Sequence, residues 1–232
     1  MRTVVITQSN YIPWKGYFDL INMADELILF DSVQYTRRDW RNRNKIKTPN
    51  GTQWLTIPVL NKGKYGQQAI HETEIKGTQW RKEHWKSIKF NYARSPYFEQ
   101  YAERFKGLYL DSEEENLSQV NYVFLKTVCD ILEIDTKISW SMDYGVIEGK
   151  TERLIDLCHK ANGDTYLSGP AARDYMDEDA FADADIQVQY MNYDDYREYE
   201  QLFPPFVQGV SVLDLLFNTG DNARDYMKSF TS

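Results

Sequence analysis

Cysteine and histidine are scarce, with two cysteines and three histidines in 232 residues. Cys129 and Cys158 give neither a disulfide framework nor a zinc spacing, and each falls in an apolar periodic stretch where a thiol behaves as a small hydrophobe. A reducing compartment is the simplest expectation. Nowhere do the roughly 18 consecutive apolar residues of a spanning helix occur, and the start, MRTVVITQSN, lacks a signal-peptide core. A cytoplasmic protein without a membrane span is therefore predicted. Positive charge is short as well: 27 Lys+Arg against 35 Asp+Glu leave −8. That argues against a nucleic-acid partner, whose binding rests on neutralising phosphates.

The shortage of positive charge is uneven. Residues 1–110 hold 18 basic and 10 acidic side chains, whereas residues 111–232 hold 9 and 25, so an anion site belongs in the first half. Aromatics make up 15% of the chain, including 17 Tyr and 6 Trp. Part of them must be core, but Tyr and Trp with a wet face also suit flat ligands such as sugars or bases.

Length and composition predict one α/β domain over residues 1–232. TVVIT (3–7) reads as a buried strand, GYFDLINMADE (16–26) sets Tyr17, Leu20, Ile21 and Ala24 at helical spacing, and ELILFD (26–31) returns to strand. This is a strand–helix–strand unit with a right-handed crossover. Within residues 45–77, TQWLTIPVL and HETEIK read as strands of an inserted hairpin or small sheet, separated by the Gly-rich NKGKYGQQ. Residues 78–133 are helical in three pieces, 79–93, 96–109 and 116–133. KISWS, TYLSG and IQVQYM then read as strands, and TERLIDLCHKAN, PAARDYM and SVLDLLFN with DNARDYMKSF as helices. The alternation predicts a mostly parallel, Rossmann-like sheet with helices on both faces and a small inserted β segment.

The loop Gln8-Ser9-Asn10-Tyr11-Ile12-Pro13-Trp14-Lys15-Gly16-Tyr17 joins the first strand to the first helix. Ligands of an open parallel sheet bind at the carboxyl ends of its strands, and a helix N-terminus offers free N–H groups to an anion. Gln8 and Asn10 supply amides, Tyr11 a hydroxyl and a ring, and Gly16 close backbone approach. The plainer reading is a polar connector that staples helix to sheet. After the second strand, residues 37–47 pack Arg37, Arg38, Arg41, Arg43, Lys45 and Lys47 around one carboxylate, Asp39. Arginine forks match phosphate oxygens in pairs and Trp40 offers a stacking face, so this segment reads as a clamp for a diphosphate or phosphopantetheine-type ligand. In an extended strand the odd-numbered members from Arg37 to Lys47 share one face, and Arg38, Trp40, Asn42 and Asn44 the other, so the six cations cannot all converge. The plainer reading here is a solvated charged loop.

Ser168-Gly169-Pro170, with Arg173 one turn on, is a third strand end that could hold a phosphate or carboxylate. Ser168 lacks the flanking glycines of a nucleophile elbow and reads as a hydrogen-bonding residue. His71, His84 and His159 are scattered without metal spacing, so no metal site is predicted; if a histidine is the general base it is His84 or His71, and the plainer reading of each is a structural or surface residue. Nine acidic residues between 176 and 200 read as a solvated face.

QSNYIPWKGYFDLI, FDSVQYTRRDWRNRNKI, TQWLTIPV, NYARSPYF, RLIDLC, TYLSGPAARDY and FPPFVQGVSVLDLLFNTG, in this order and spacing, closely resemble the WbqC-like family of bacterial proteins. Nearly the whole chain is covered. The resemblance implies a place among genes for O-antigen and other surface-polysaccharide sugars, and modification of sugar intermediates by acyl or aminoacyl transfer. Gln8, Tyr11, Pro13, Trp14, Gly16, Asp31, Arg38, Asp39, Trp40, Arg41, Asn42 and Ser168-Gly169-Pro170 are the residues that stand in its motifs. The first loop is also similar in layout to the HxGH signature of the nucleotidylyltransferase superfamily, but Trp14 and Tyr17 stand where its histidines would. Two such aromatics cannot serve phosphate as two imidazoles do.

The combined expectation is a transferase acting on a nucleotide-activated sugar. Arg37, Arg38, Arg41 and Arg43 would hold the diphosphate and Trp14 or Trp40 would stack on the flat part. Gln8, Asn10, Tyr17, Asp31, Asn42, Ser168, Gly169 and Arg173 would complete the binding set, and His84, Asp39 and Tyr11 are the candidate catalytic groups. Asp39, among arginines, stays ionised and suits orientation better than proton donation. No cofactor is required, though a coenzyme A or phosphopantetheine thioester, free or on an acyl carrier, would serve as donor. Two alternatives stand beside this, a nucleotidylyltransferase-like adenylating enzyme and a non-catalytic sugar-nucleotide binding partner. A homodimer is the base expectation for assembly.

Overall fold

A computed structural model of the chain describes residues 1–61, 63, 68–145 and 147–230. Five strands, β1 (Thr3–Thr7), β2 (Glu26–Leu29), β5 (Lys137–Trp140), β6 (Thr165–Ser168) and β7 (Gln187–Tyr190), form one sheet in the order β5-β2-β1-β6-β7, and every pairing is parallel. A parallel sheet covered on both faces needs strands that are apolar on both sides, which is why TVVIT and ELIL read as continuous apolar runs. Val5, Leu27, Leu29 and Leu167 face one core, shared with α1 (Lys15–Asn22), α2 (Gln79–Tyr92), α3 (Phe98–Leu110), α4 (Leu117–Leu132) and α7 (Val212–Thr219). Val4, Ile6, Ile28 and Tyr166 face a second, shared with α5 (Thr151–Lys160) and α6 (Glu178–Asp183). The expected α/β architecture with flanking helices is the observed one.

The chain runs outward from β1 to β2 and β5, then returns across β1 to β6 and β7. The direction of winding reverses between β1 and β6, and in such sheets that reversal opens a crevice outside the strands' carboxyl ends. A separate antiparallel hairpin, β3 (Arg43–Thr48) with β4 (Gly51–Thr56), turns at Pro49-Asn50 and places Gly51 at φ +109°.

Several local expectations are corrected. HETEIK is no strand: residues Ile70–Glu72 form a 3-10 turn, and only isolated bridges, Val59↔Ile75 and Glu74↔Asn116, follow. The strand partner of TQWL is instead the basic RNKIKT, so the hairpin begins earlier than residue 45. Residues 37–42 are turns, with Arg38 left-handed at φ +58°, so face alternation holds only from Arg43 onward. PAARD and the segment Gly220–Tyr226 are 3-10 helices. Asp177 caps α6 by accepting from the Ala180 N–H at 3.1 Å, with Glu178 and Asp179 in its first turn, a role for acidic residues that had read only as a solvated face. Within NKGKYGQQ, positions 62 and 64–67 lie outside the described residues. Among the described residues no helix is long and apolar enough to cross a membrane.

At the opposite, amino end of the sheet Glu26 is fully buried and accepts from Ser139 Oγ at 2.6 Å, Arg2 at 2.8 Å, Lys137 at 3.0 Å and the Tyr144 hydroxyl. Burial alone would raise its carboxyl, but these donors overcome it and hold the group below the usual range. A carboxyl that binds its proton less readily when folded stabilises the fold above its unfolded value, and that contribution is lost as pH falls through the folded value. Thermal melts should therefore show Glu26→Gln clearly less stable than wild type at pH 7, with the gap closing as pH is lowered through 4.5 and below.

Candidate functional site

The β1–α1 loop is held rigid from several sides. Ser9 N–H donates to Asp31 Oδ1 at 2.8 Å, Tyr11 N–H to the Trp40 carbonyl at 3.0 Å, and Asn44 Nδ2 to the carbonyls of Tyr11 and Ile12, both at 3.0 Å. Asn121 Nδ2 ties Ser9 Oγ (3.0 Å) to the Arg41 carbonyl (2.9 Å). Ile12 sits at φ +37°. A β-branched residue rarely adopts that conformation, and such strain persists where surrounding bonds over-determine it, often beside a binding site.

These restraints aim Gln8, Asn10, Tyr17 and Arg41 into the crevice at the β1/β6 reversal, a cavity of about 510 Å³ whose far wall is Tyr166, Ser168, Gly169 and Pro170. Tyr17 donates its hydroxyl to the Gln8 carbonyl at 2.8 Å, fixing the loop's first turn. Arg41 donates to Asn10 Oδ1 and lies 3.7 Å from Asp39, so one guanidinium is oriented by two partners at the mouth. Burial alone would raise the Asp39 carboxyl, but the Thr36 hydroxyl (2.6 Å), Arg41 and the Trp40 N–H (2.7 Å) hold it below the usual range, ionised.

Asn10 also lines a second pocket of about 400 Å³ with Pro13, Trp14, Trp40, Asn44 and Gln208. Gly16 is what permits Trp14 to lie where it does, since a Cβ there would fall 2.4 Å from indole Cζ2. The segment carrying Gln208 is pinned by buried Asp214, which accepts from Tyr92 (3.0 Å), Tyr199 (2.8 Å) and Gln201 (2.7 Å). A third groove of about 290 Å³ takes Arg37, Arg38, Asn42 and Arg43. The basic cluster thus divides: Arg41 goes to the crevice, Arg37, Arg38 and Arg43 to the groove, and Lys47 inward, where Nζ donates to the Pro205 carbonyl at 2.6 Å.

Other expected site residues lie elsewhere. Tyr11 is buried, its hydroxyl 2.5 Å from that of Tyr109 and 2.9 Å from His84 Nδ1. Burial pushes the His84 imidazole down to about 4, a Thr56 backbone bond only partly opposing it, and raises the Tyr11 phenol. Asp31, fully buried, accepts from Ser9 and from the Ser118 hydroxyl, while its carbonyl holds His71. Arg173 stacks on Tyr190, 4.7 Å from the ring centre, outside the crevice lining.

Sequence reasoning passed over Tyr193, which lines the crevice and packs edge-on against Trp14 at 5.0 Å. It also passed over Lys15, buried with Nζ 4.6 Å from the Tyr196 ring and 5.3 Å from Tyr199. Burial brings that ammonium down to about 8 against the pull of Asp19. The signal was the three-residue spacing of Tyr193, Tyr196 and Tyr199, hidden within the acidic stretch.

The sequence model of the WbqC-like protein family matches residues 8–226. The uncharacterized protein Rv1507c of Mycobacterium tuberculosis is 49% identical over 228 residues, covering 98% of each chain. No solved structure matches.

Two measurements check this geometry. Gly16→Ala should force Trp14 aside, altering near-ultraviolet circular dichroism and costing about 1–3 kcal/mol in urea unfolding. The His84 ring protons should show no NMR titration between pH 5.5 and 8, since the imidazole stays neutral down to about 4; a midpoint near 6.5 would return His84 to an acid–base role.

Proposed function

The chain belongs to the WbqC-like protein family, and from that premise we propose that it is a transferase that binds a nucleotide-activated sugar in the β1/β6 crevice and passes an acyl or aminoacyl group to it, in the making of bacterial surface polysaccharide. The observation that carries the reading is Arg41: a half-buried guanidinium, fixed by Asn10 and Asp39, stands at the winding reversal of a parallel sheet. A preorganised arginine there suits a diphosphate, because its fork meets two oxygens without reordering. The ring walls of Tyr17, Tyr166 and Tyr193 suit the base and ribose.

Transfer from a thioester of coenzyme A or carrier-bound phosphopantetheine asks mainly for positioning. The sugar amine attacks the thioester carbonyl, the C–N bond forms, the C–S bond breaks, and the amine's proton leaves with the thiol. Holding the two reactants together supplies most of the acceleration such a step needs. Gln8 and Asn10 offer the amides to orient the acceptor, and Asp39 acts through Arg41. Tyr11 and His84 support the loop from beneath, and their burial suits them to that.

Calorimetric titration with UDP- and dTDP-linked amino sugars, followed by mass analysis with an acyl-coenzyme A present, tests the reading. Wild type should bind and acylate the sugar nucleotide. Arg41→Ala should weaken binding about tenfold or more, the worth of one charge-assisted bond, while Arg38→Ala, in the separate groove, should leave it within twofold. A response only to ATP with Mg²⁺ would replace acyl transfer by nucleotidyl transfer, and equal affinity in Arg41→Ala would remove the crevice as the anion site.

A further inference from the structure

The pocket beside the crevice has a lining unlike its surroundings. Six cations crowd residues 37–47, yet among the described residues the walls of this pocket are Asn10, Pro13, Trp14, Trp40, Asn44 and Gln208, closed by Gly209, with no charged side chain. Both indoles are held in place without being covered. Trp14 rests on Gly16 and is braced at its edge by Tyr193 (5.0 Å) and Tyr196 (5.6 Å). Trp40 leans on Trp54 with ring centres 5.3 Å apart and remains 41% exposed. Each therefore has one side spent on the protein and another available to the cavity.

The polar groups of the pocket are carboxamides. Asn44 is consumed by the carbonyls of Tyr11 and Ile12 and by the Lys45 N–H, so its part is structural. Gln208 and Asn10 remain, and Asn10, whose Oδ1 is taken by Arg41, keeps its Nδ2 as a donor. Aromatic faces with a few neutral donors and acceptors, and no ion to pair with, suit a ring that has C–H faces and hydroxyl edges. A phosphate or carboxylate would find no partner there, and burying it unpaired is costly.

We propose that this pocket is the subsite for one uncharged sugar ring, the glycosyl part of the ligand whose nucleotide occupies the crevice. The inference rests on the crevice reading above and extends it, because Asn10 belongs to both cavities and places the diphosphate beside Arg41 at their junction. An amino sugar would bind here as the free amine, the form that attacks a thioester, since among the described residues no carboxylate lines the pocket to retain its proton.

Gly209 and Gly169 allow each cavity to be blocked separately, since a Cβ at either position meets no atom within 4 Å. Gly209→Leu adds bulk to a lining position of the aromatic pocket and Gly169→Leu to one of the crevice. Trp40→Ala removes a half-exposed wall of the pocket, so the fold should tolerate it. The experiment is calorimetric titration of these variants with UDP and UDP-glucose, and with the corresponding thymidine pair. Wild type should bind the sugar-linked ligand more tightly than the diphosphate. Gly209→Leu and Trp40→Ala should each weaken the sugar-linked ligand tenfold or more while leaving the free diphosphate within twofold, and Gly169→Leu should abolish both.

The proposal is overturned if the two pocket variants bind UDP-glucose as wild type does, if they lose the free diphosphate equally, which would give the pocket to the base, or if the sugar adds nothing to wild-type affinity. Failure of wild type to bind any nucleotide sinks the crevice reading instead. In that case quenching of tryptophan fluorescence by methyl glucopyranoside, lost in Trp40→Ala, would still support the sugar pocket, and no quenching would overturn it as well.

Discussion

The arrangement depends on one buried carboxylate at the end of β2. Asp31 receives the Ser9 N–H and the Ser118 hydroxyl on its side chain and both His71 donors on its carbonyl. It thereby joins the β1 loop, α4 and the 3-10 turn at Ile70–Glu72 at one point. Removing a partner from a buried, hydrogen-bonded carboxyl group leaves polar atoms unsatisfied, which costs far more than losing an ordinary surface contact. The rigidity of the loop is thus set in part from behind, by a side chain that is fully buried. Asn44 and Asn121 repeat the device with neutral groups, converting hairpin and helix into a fixed frame for residues 8–13.

That frame explains why a dense run of cations does not behave as one positive patch. The turns of residues 37–42 direct Arg41 inward while Arg37 and Arg38 point to another groove, and the strand that follows sends Arg43 and Lys45 over Trp54 at 4.1 and 5.0 Å. Self-repulsion among like charges is relieved by this spreading and by contact with aromatic faces. A single guanidinium is left for the crevice, where two neutral or anionic partners fix its direction.

The sheet was legible because its signal is local: β1 and β2 are apolar or β-branched runs, β6 is a short aromatic and apolar one and β7 alternates polar with apolar residues, and α2, α3 and α4 follow helical periodicity within two residues of expectation. The hairpin was half legible, since a basic strand such as RNKIKT carries no apolar alternation and owes its pairing to the facing TQWL. HETEIK alternated correctly yet formed a turn, because Gln68 satisfies the Glu72 carbonyl and the Glu72 side chain the Ala69 N–H, while Thr73 accepts from the Leu117 N–H at the start of α4 and Ile75 donates to the Glu115 carbonyl just before it. For the site, position in the fold was the informative signal. Gln8, Asn10, Tyr17, Arg41, Ser168 and Gly169 do line one crevice, but which of the loop aromatics turn inward could not be read without tertiary packing. Tyr11 and Trp14, three residues apart, end in a sealed core and in a pocket wall respectively.

The central strand, β1, precedes the other four strands of its sheet in sequence, and its neighbour on one side, β6, follows some 160 positions later. Until then β1 has an open flank, and α1 lacks the contacts by which Asp19 grips the N–H groups of Lys228 and Ser229. Residues 3–190 must therefore all be made before the sheet can close, and non-local pairing of this kind makes for slow folding with exposed strand edges in the interval. In a chain built this way the central strand waits with one edge unpaired until residues 165–168 arrive to cover it.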